Sequence, residues 1–260
     1  MSTKPVDLQE VDYMEVLVLV DNVMDILSSV PECVTSEIPN HIAAGAKELG
    51  GGCLCCGAWG LSLAISTVSH DVKRTMLFDT GPEAYALERN AKRLGFDFGK
   101  VECIAASHGH FDHTAGLPKA LELITEANGG NQVPVHVNPG MFYKRAAQDS
   151  PDSSVLPLED VPAPTILQSA GGNVVNDPES RLVLDGTVFI SGEIPRITEY
   201  EKGLPTQVRI GDDGEWMPDP LQMDERYLAV NVKDLGMIVF SSCSHAGIIN
   251  VLSDARDNSD

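Results

Sequence analysis

Ser107-His108-Gly109-His110-Phe111-Asp112-His113 is the most informative stretch of the sequence. Within six residues it holds four side chains that bind metals well: His108, His110, Asp112 and His113. Residues 101–106 are largely apolar and are predicted to form a strand, so the run begins where that strand ends. Three of the seven histidines in the chain lie here, which argues against unrelated polar residues in a surface loop.

The spacing of the run predicts a metal centre. Residues i and i+2 of an extended backbone point the same way, so His108 and His110 converge on one ion. A helical turn at Asp112 would direct Asp112 and His113 to a second ion. Two ions about 3.5–4 Å apart can hold a bridging hydroxide and polarise an acyl or phosphoryl oxygen. We therefore expect two divalent ions, with zinc favoured, although iron and manganese also suit imidazole and carboxylate ligands.

The elements around the run alternate between β-rich and helical segments. Apolar residues recur on one face of residues 83–94 and of residues 117–127, and each segment ends near glycine, so both are predicted helices. The other predictions are a buried strand at 13–20, a long loop at 28–58, strands at 61–68, 75–78 and 133–137, a short helix at 140–147, several β-runs after residue 182, and a final helix after His245.

The order of these elements indicates the fold class. The chain is β-rich, then α, β, α and β-rich again, without a repeat, which favours an α/β (α+β) fold of two packed sheets with helices outside. We expect one domain over residues 1–260. Residues 149–164 are rich in Pro, Ser and Asp and are predicted to be an exposed loop or lid.

Composition narrows the partners. The chain has 38 acidic and 18 basic residues, a net charge of −20, so a nucleic-acid partner is not expected. No apolar run is long enough to cross a membrane, and no signal-peptide pattern is present, so we expect a cytoplasmic protein with a small-molecule substrate. The six cysteines are expected to be reduced. Cys53, Cys55 and Cys56 suggest a metal site, but one isolated cluster is weak evidence, and a glycine-rich loop with buried or free thiols is favoured.

Two motifs resemble the metallo-β-lactamase superfamily: the pattern SHxHxDHTxGL at residues 107–117 and Leu77-Phe78-Asp79-Thr80-Gly81. Gly192-Glu193-Ile194-Pro195-Arg196 and Cys243-Ser244-His245-Ala246-Gly247 are similar to one subgroup, the 7,8-dihydropterin-6-methyl-4-(β-D-ribofuranosyl)aminobenzene-5′-phosphate synthase-like hydrolases. The resemblance implies a four-layer αββα sandwich.

The resemblance also implies roles for residues outside the run. Asp79 would lie beneath the metal site and orient a ligand, unless it is only a turn residue. His245 would be another ligand. Cys243 is either a thiolate ligand or a small buried residue, and Glu193 either a ligand or a partner of Arg196. Arg196 is a candidate for binding an anionic group of the substrate.

Lys144 and Arg145 are part of the resemblance to the subgroup, but they are expected to be solvated surface charges. The sequence departs from the family pattern at two places. Trp59 stands where the family usually has a histidine, before Gly60-Leu61-Ser62. Family members continue beyond the final helix with further histidine-bearing segments, so the fold would lack its C-terminal elements and the second ion a ligand. A truncated form and a degenerate member with one metal both remain open.

The expected function is that of a metal-dependent hydrolase. A metal-bound hydroxide would attack a small phosphorylated, ester or lactone substrate, with Asp112 as the catalytic residue that orients the hydroxide or accepts its proton. An iron-dependent oxidoreductase of the same fold is one alternative, since the same ligands can hold iron. A non-catalytic protein that has lost part of its metal site is the other.

Overall fold

The computed structural model describes residues 6–259. The helices are α1 (Glu37–Ala43), α2 (Ala84–Leu94), α3 (Phe111–Thr114), α4 (Leu117–Ala127), α5 (Pro164–Ser169) and α6 (Ile248–Asp257). The strands are β1 (Glu10–Val11), β2 (Tyr13–Val20), β3 (Ser62–Ser69), β4 (Val72–Phe78), β5 (Val101–Ala105), β6 (Val133–Val137), β7 (Arg145–Ala147), β8 (Leu156–Pro157), β9 (Gly172–Asn176), β10 (Arg181–Val183), β11 (Val188–Ile190), β12 (Gln207–Ile210), β13 (Trp216–Pro218), β14 (Leu228–Val232) and β15 (Gly236–Phe240).

The first sheet has six strands in the order β2-β3-β4-β5-β6-β9. The strands β2, β3 and β4 are antiparallel, and β4, β5, β6 and β9 run parallel to one another. Helices α2 and α4 cover one face, where Leu87 and Leu121 pack against strand residues such as Leu77 and Ile104. Gly95 ends α2 with a φ of 68°, a conformation that costs glycine little.

The second sheet packs against the other face of the first. Its path is β1-β14-β11-β10, with β15 pairing β14 as well. Ile65 and Phe78 of the first sheet share an apolar core with Ile190 and Val230 of the second. The outer face of the second sheet packs on α6, chiefly through Val251. The layers are therefore helix, sheet, sheet and helix, which confirms the predicted fold class.

Several local predictions were wrong. Strand β2 is at the edge of the sheet, where among residues 6–259 it pairs with β3 alone, and half of its residues are exposed, so it is not a buried strand. Residues 28–58 are not loop throughout, because they contain α1, which has only seven residues, Pro39 among them, and is too short to show a helical period. Residues 140–147 form the end of a 3₁₀ turn (Pro139–Phe142) and strand β7 instead of a helix.

The remaining strands form a small sheet, β13-β12-β7-β8, that includes part of the predicted loop at 149–164 through β8. No helix among residues 6–259 has the length and apolar character that crossing a bilayer would require.

Candidate metal centre

The candidate metal centre lies where strands β4, β5 and β15 end. Because β4 and β5 are parallel, with Phe78 opposite Ala105, their carboxyl ends meet at one edge of the sheet. The chain leaving β4 begins with Asp79, and the chain leaving β5 continues into residues 107–113, the first loop. The chain leaving β15 forms residues 241–247, the second loop. The sandwich therefore brings together segments that are far apart in sequence.

Asp79 lies beneath the first loop and is fully buried. Its Oδ1 accepts a hydrogen bond from the Ser107 backbone N–H at 2.7 Å, and its Oδ2 accepts from the Ser107 hydroxyl at 2.8 Å. Oδ2 also lies 2.7 Å from His113 Nδ1 and accepts from the Ser242 hydroxyl at 2.6 Å. An ionised carboxylate only accepts, so His113 Nδ1 carries the proton and Nε2 points into the site.

His108 is oriented in a similar way. The Ser107 hydroxyl donates to Asp79, so it accepts from His108 Nδ1 at 2.9 Å, and His108 Nε2 is left with its lone pair. That Nε2 lies 3.0 Å from Nδ1 of His110. His110 is the residue immediately before α3, the single helical turn that carries Asp112 and His113.

Close backbone packing fixes that turn. The backbone carbonyl of His113 accepts hydrogen bonds from the Thr80 N–H at 2.8 Å and the Thr80 hydroxyl at 3.1 Å. Gly60 has a φ of +154°, and a Cβ there would come within 2.1 Å of the Asp112 carbonyl oxygen. The position of Asp112 thus depends on a residue without a side chain next to it.

A buried ion pair holds the middle of the first loop. Asp224 accepts from the Gly109 N–H at 2.8 Å and from Arg145 at 2.5 Å, and Arg145 also donates to the Gly109 carbonyl at 3.3 Å. The expectation that Arg145 is a solvated surface charge was wrong, because its side chain is 3% exposed. Arg145 instead ties β7 to the first loop, and Asp219 supplies a further partner at 3.2 Å.

Glu225 performs the equivalent task for the second loop. Its two oxygens accept from the backbone N–H groups of His245 at 2.9 Å and Ala246 at 2.6 Å. Burial raises the pKa of Glu225, while these two hydrogen bonds oppose that shift. Cys243 is exposed rather than buried, and its Sγ lies 3.2 Å from His113 Nε2.

The side chains of the two loops converge. The ring of His108 lies 4.7 Å from that of His110, 4.5 Å from His113 and 4.8 Å from His245, measured between centroids. Ligand atoms of His108, Cys243 and His245 lie within 4.8 Å of one another, and so do those of Asp112, His113 and Cys243. Cys243 belongs to both groups.

The protonation states of these side chains suit metal binding. Burial lowers the pKa of His110 and of His245 to about 4, and that of His108 well below its usual range. Their rings are therefore neutral near pH 7, as ligands must be. His113 differs: burial alone would lower its pKa, but Asp79, Asp112 and Cys243 raise it to about 12. The surroundings of His113 therefore favour a positive charge. A metal ion bound at Nε2 would supply that charge in place of the proton.

Two ring nitrogens test whether the residues fit a metal. Nε2 of His110 and Nε2 of His245 are buried, and neither has a hydrogen-bond partner among the described residues. A buried polar atom without a partner costs about 1–3 kcal/mol. Both atoms lie on rings whose centroids are 5.0 Å apart, beside His108. A metal ion beside either ring would give its nitrogen a partner, so the donor set fits a metal.

A family model described as the metallo-beta-lactamase superfamily matches residues 65–217, more than half of the chain. The chain belongs to the metallo-β-lactamase superfamily. This is a superfamily of enzymes, and its fold implies the binding of divalent metals.

Curated relatives come from the archaeon Methanocaldococcus jannaschii. One is named 7,8-dihydropterin-6-methyl-4-(β-D-ribofuranosyl)-aminobenzene-5′-phosphate synthase and is 29% identical over 195 residues, 74% of this chain and 63% of that protein. Another, uncharacterized, is 26% identical over 183 residues, 69% of this chain and 61% of that protein. The chain thus spans less than two thirds of the length of either relative.

A solved structure supports the fold. A metal-dependent hydrolase of the β-lactamase superfamily superposes with a TM-score of 0.62, at 20% identity, over 94% of this chain and 72% of the other. The recognised resemblance to the metallo-β-lactamase superfamily is therefore confirmed.

The structure places the remaining candidate residues away from the two ligand groups. Glu193 is exposed, and it belongs to neither group. Arg196 donates to the carbonyl oxygens of Leu221 at 2.8 Å and Gln222 at 3.0 Å, so its guanidinium braces the chain before Glu225. A direct role for either residue in this metallo-β-lactamase-type centre stays a prediction.

Asp224, Glu225 and the role of Arg145 were missed at the level of sequence. The signal that points to them is Asp224-Glu225-Arg226, three consecutive charged residues directly before the apolar strand β14. All three are at most 3% exposed. Buried charged residues need partners, and the two carboxylates find theirs in the two loops of the metal centre, whereas the Arg226 guanidinium donates to the Asp177 carbonyl.

Proposed function

We propose that this chain is a metal-dependent hydrolase of a small ester, lactone or phosphorylated substrate. The observation that carries the proposal is the meeting of Asp112, Cys243 and the imidazoles in two groups that share the Cys243 sulfur. The unpartnered nitrogens of His110 and His245 support it, as do superfamily membership and the fold shared with a metal-dependent hydrolase.

In this proposal His108, His245 and Cys243 hold one ion, with His110 beside them, and Asp112, His113 and Cys243 hold the other. Zinc suits a set of imidazole, thiolate and carboxylate ligands, and iron or manganese remain candidates. When bound, such ions polarise the substrate's electrophilic group and bring the pKa of a coordinated water to about 7.

Asp112 and Asp79 have different roles in this proposal. Burial would raise the pKa of Asp112, but His113 lowers it below its usual value, so Asp112 is ionised near neutral pH and can accept a proton from the attacking water. Asp79 keeps the His113 ring aligned. Arg145 and Arg196 are engaged by other protein groups, and the bound ions would supply positive charge for an anionic substrate.

The test combines metal analysis with an activity panel. Protein purified without added metal is analysed for zinc, iron and manganese, then assayed on phosphomonoester, phosphodiester, lactone and thioester substrates. Asp112→Ala should lower turnover by about 100-fold or more, while Asp149→Ala, in an exposed loop, should not. Unchanged turnover in Asp112→Ala, or stoichiometric iron with negligible zinc and no hydrolysis, would overturn the proposal.

A second candidate is synthesis of a dihydropterin compound of the kind named for the relative. The observation that favours it is the 29% identity over 195 residues. Formation of the relative's named product, without hydrolysis of any substrate in the panel, would favour this reaction. Hydrolysis without product formation would favour the first proposal.

A further inference from the structure

A second group of metal-binding side chains lies far from the centre described above in sequence. Glu37 and His41 are one turn apart on helix α1, and Cys55 comes from the glycine-rich loop that follows. Their ligand atoms lie within 4.8 Å of one another. The residue His41 is 1% exposed, so its ring is buried and does not lie in solvent.

The two ring nitrogens of His41 have different partners. Its Nδ1 lies 3.2 Å from the carbonyl oxygen of Arg93, which can only accept, so Nδ1 carries a proton. Its Nε2 points at Glu37 Oε1, 2.6 Å away. A ring nitrogen that donates to a backbone carbonyl while the other faces ligands is the usual arrangement of a metal-binding histidine.

The Glu37 carboxylate contacts both the helix and the loop. Glu37 Oε1 also accepts from the Cys55 backbone N–H at 2.7 Å, and this bond holds the loop against α1. Both hydrogen bonds fall on Oε1, and Oε2 accepts none from the residues that the structure describes. The pKa of Glu37 is lowered, because His41 and Cys55 together outweigh the effect of burial. Glu37 is therefore an anionic ligand with a free oxygen.

The Cys55 thiol is the third side chain of the group. An ion pair between His41 and Glu37 would explain why those two side chains meet, but not why the thiol lies beside them. Burial and the nearby Glu37 carboxylate raise the pKa of Cys55 to about 12. Its Sγ lies 4.0 Å from the Asn90 carbonyl oxygen, at the limit of a hydrogen bond, and faces the Glu37 carboxylate. A divalent cation would offset the repulsion between a thiolate and the carboxylate, and would displace the thiol proton.

We propose that Glu37, His41 and Cys55 bind a zinc ion, separate from the His108 centre. Sulfur, nitrogen and oxygen ligands together match zinc better than calcium or magnesium. Water would complete the tetrahedron, since Glu37 and Cys55 line a cavity of about 1040 Å³. The ion would fasten α1 and the glycine-rich loop to the end of α2 through the Arg93 contact.

The experiment uses the full chain with His108→Ala, His110→Ala and Cys243→Ala, which disable the first centre. Zinc alone is titrated in competition with a chromogenic chelator. We expect one tightly bound zinc per chain, and a loss of affinity of about 10-fold or more in Glu37→Gln, His41→Gln and Cys55→Ser. Cys33→Ser, an exposed cysteine of the same segment, should bind zinc unchanged.

Cobalt provides the second readout. The triple variant loaded with Co²⁺ should show sulfur-to-cobalt charge-transfer absorption that disappears in Cys55→Ser and persists in Cys33→Ser and Cys53→Ser. Glu37→Gln keeps the size of the side chain, so it tests the site if Cys55→Ser fails to fold. Absence of zinc and of the absorption band in the triple variant, or a band that survives Cys55→Ser, would overturn the proposal. Neither result depends on hydrolase activity.

Discussion

The two loops of the metal centre are held in different ways. The first loop lies on a buried network in which Asp79 accepts four hydrogen bonds and the pair Asp224–Arg145 grips Gly109 from the other side. The second loop is attached mainly through Glu225, which accepts two backbone N–H groups, and its Cys243 is exposed. The first loop therefore fixes the geometry, and the second supplies ligands with more freedom to move.

The three carboxylates that support the loops, Asp79, Asp224 and Glu225, differ in how many loops they contact. Asp79 is the only one of them that reaches both loops among the described residues, through Ser107 and Ser242. Asp224 and Glu225 each serve one loop, although they are adjacent in sequence. Substitutions of these carboxylates should accordingly differ in size.

Asp79→Asn should have the largest effect. Asparagine tolerates the left-handed backbone at this position, where φ is 58°, and so keeps the turn. It cannot hold the His113 proton as an ionised carboxylate does, so we expect metal affinity to fall by about 10- to 100-fold. Chelator competition measures the affinity.

The matched control for this variant is Asp185→Asn. Asp185 also has a positive φ, 55°, but lies in the exposed turn between β10 and β11. It should bind metal as the unmodified chain does. An Asp79→Asn affinity within about twofold of that control would show that the orientation of His113 does not depend on a charge at Asp79.

The sequence predicts those parts of the metal centre that depend on residues close to one another along the chain. His108, His110, Asp112 and His113 lie in one short segment, so the strand-to-turn geometry alone brings them together, and their spacing shows it. Helices α2 and α4 were predicted to within one residue because each has a full apolar face and a glycine near its end.

The parts that sequence reasoning missed are long-range. Asp224 hydrogen-bonds to a residue 115 positions earlier, and nothing local distinguishes a buried carboxylate from a solvated one. Arg145 was misjudged for the same reason. Strand β2 was expected to be buried because its composition is apolar, but burial depends on whether a neighbour covers each face, which composition does not state.

The acid sensitivity of the metal-free protein is the next test of the comparison, because each loop carries one histidine with a pKa of about 4: His110 and His245. In the unfolded chain the value is 6.5. Between these values the unfolded state binds more protons, so stability falls as pH decreases from 6.5 towards 4. His113, whose folded pKa is raised, contributes fully throughout this range and does not reverse the trend.

The expected loss is about 1–3 kcal/mol for each of the two imidazoles, measured by urea unfolding of chelator-treated protein. His110→Gln and His245→Gln should each remove part of the pH dependence, and the relative size of the two effects reports which loop resists protonation more. His70→Gln, at an exposed turn, should leave it unchanged. His108, whose pKa is also lowered, remains in the double variant and should keep part of the dependence. A pH dependence that is as large in the double variant as in the unmodified chain would show that other groups control acid unfolding.

Glu225→Gln should have the smallest effect. Glutamine retains one acceptor oxygen but loses the negative charge, so it weakens the hydrogen bonds to the His245 and Ala246 N–H groups without reaching the first loop. We expect the free energy of unfolding to fall by about 1–2 kcal/mol and metal affinity to fall by less than about 10-fold.

The control variant Glu201→Gln distinguishes a loss of stability from a loss of metal affinity in Glu225→Gln. Glu201 also accepts two backbone N–H groups, from Ile249 at 2.9 Å and Asn250 at 3.0 Å, but at the start of α6 and outside both ligand groups. Both variants weaken two hydrogen bonds to backbone N–H groups, although Glu201 is less buried than Glu225. Both should therefore destabilise the fold, and only Glu225→Gln should weaken metal binding. If Glu225→Gln instead lowered affinity as much as Asp79→Asn, the second loop would constrain the metal as tightly as the first, and the hierarchy of the carboxylates would be wrong.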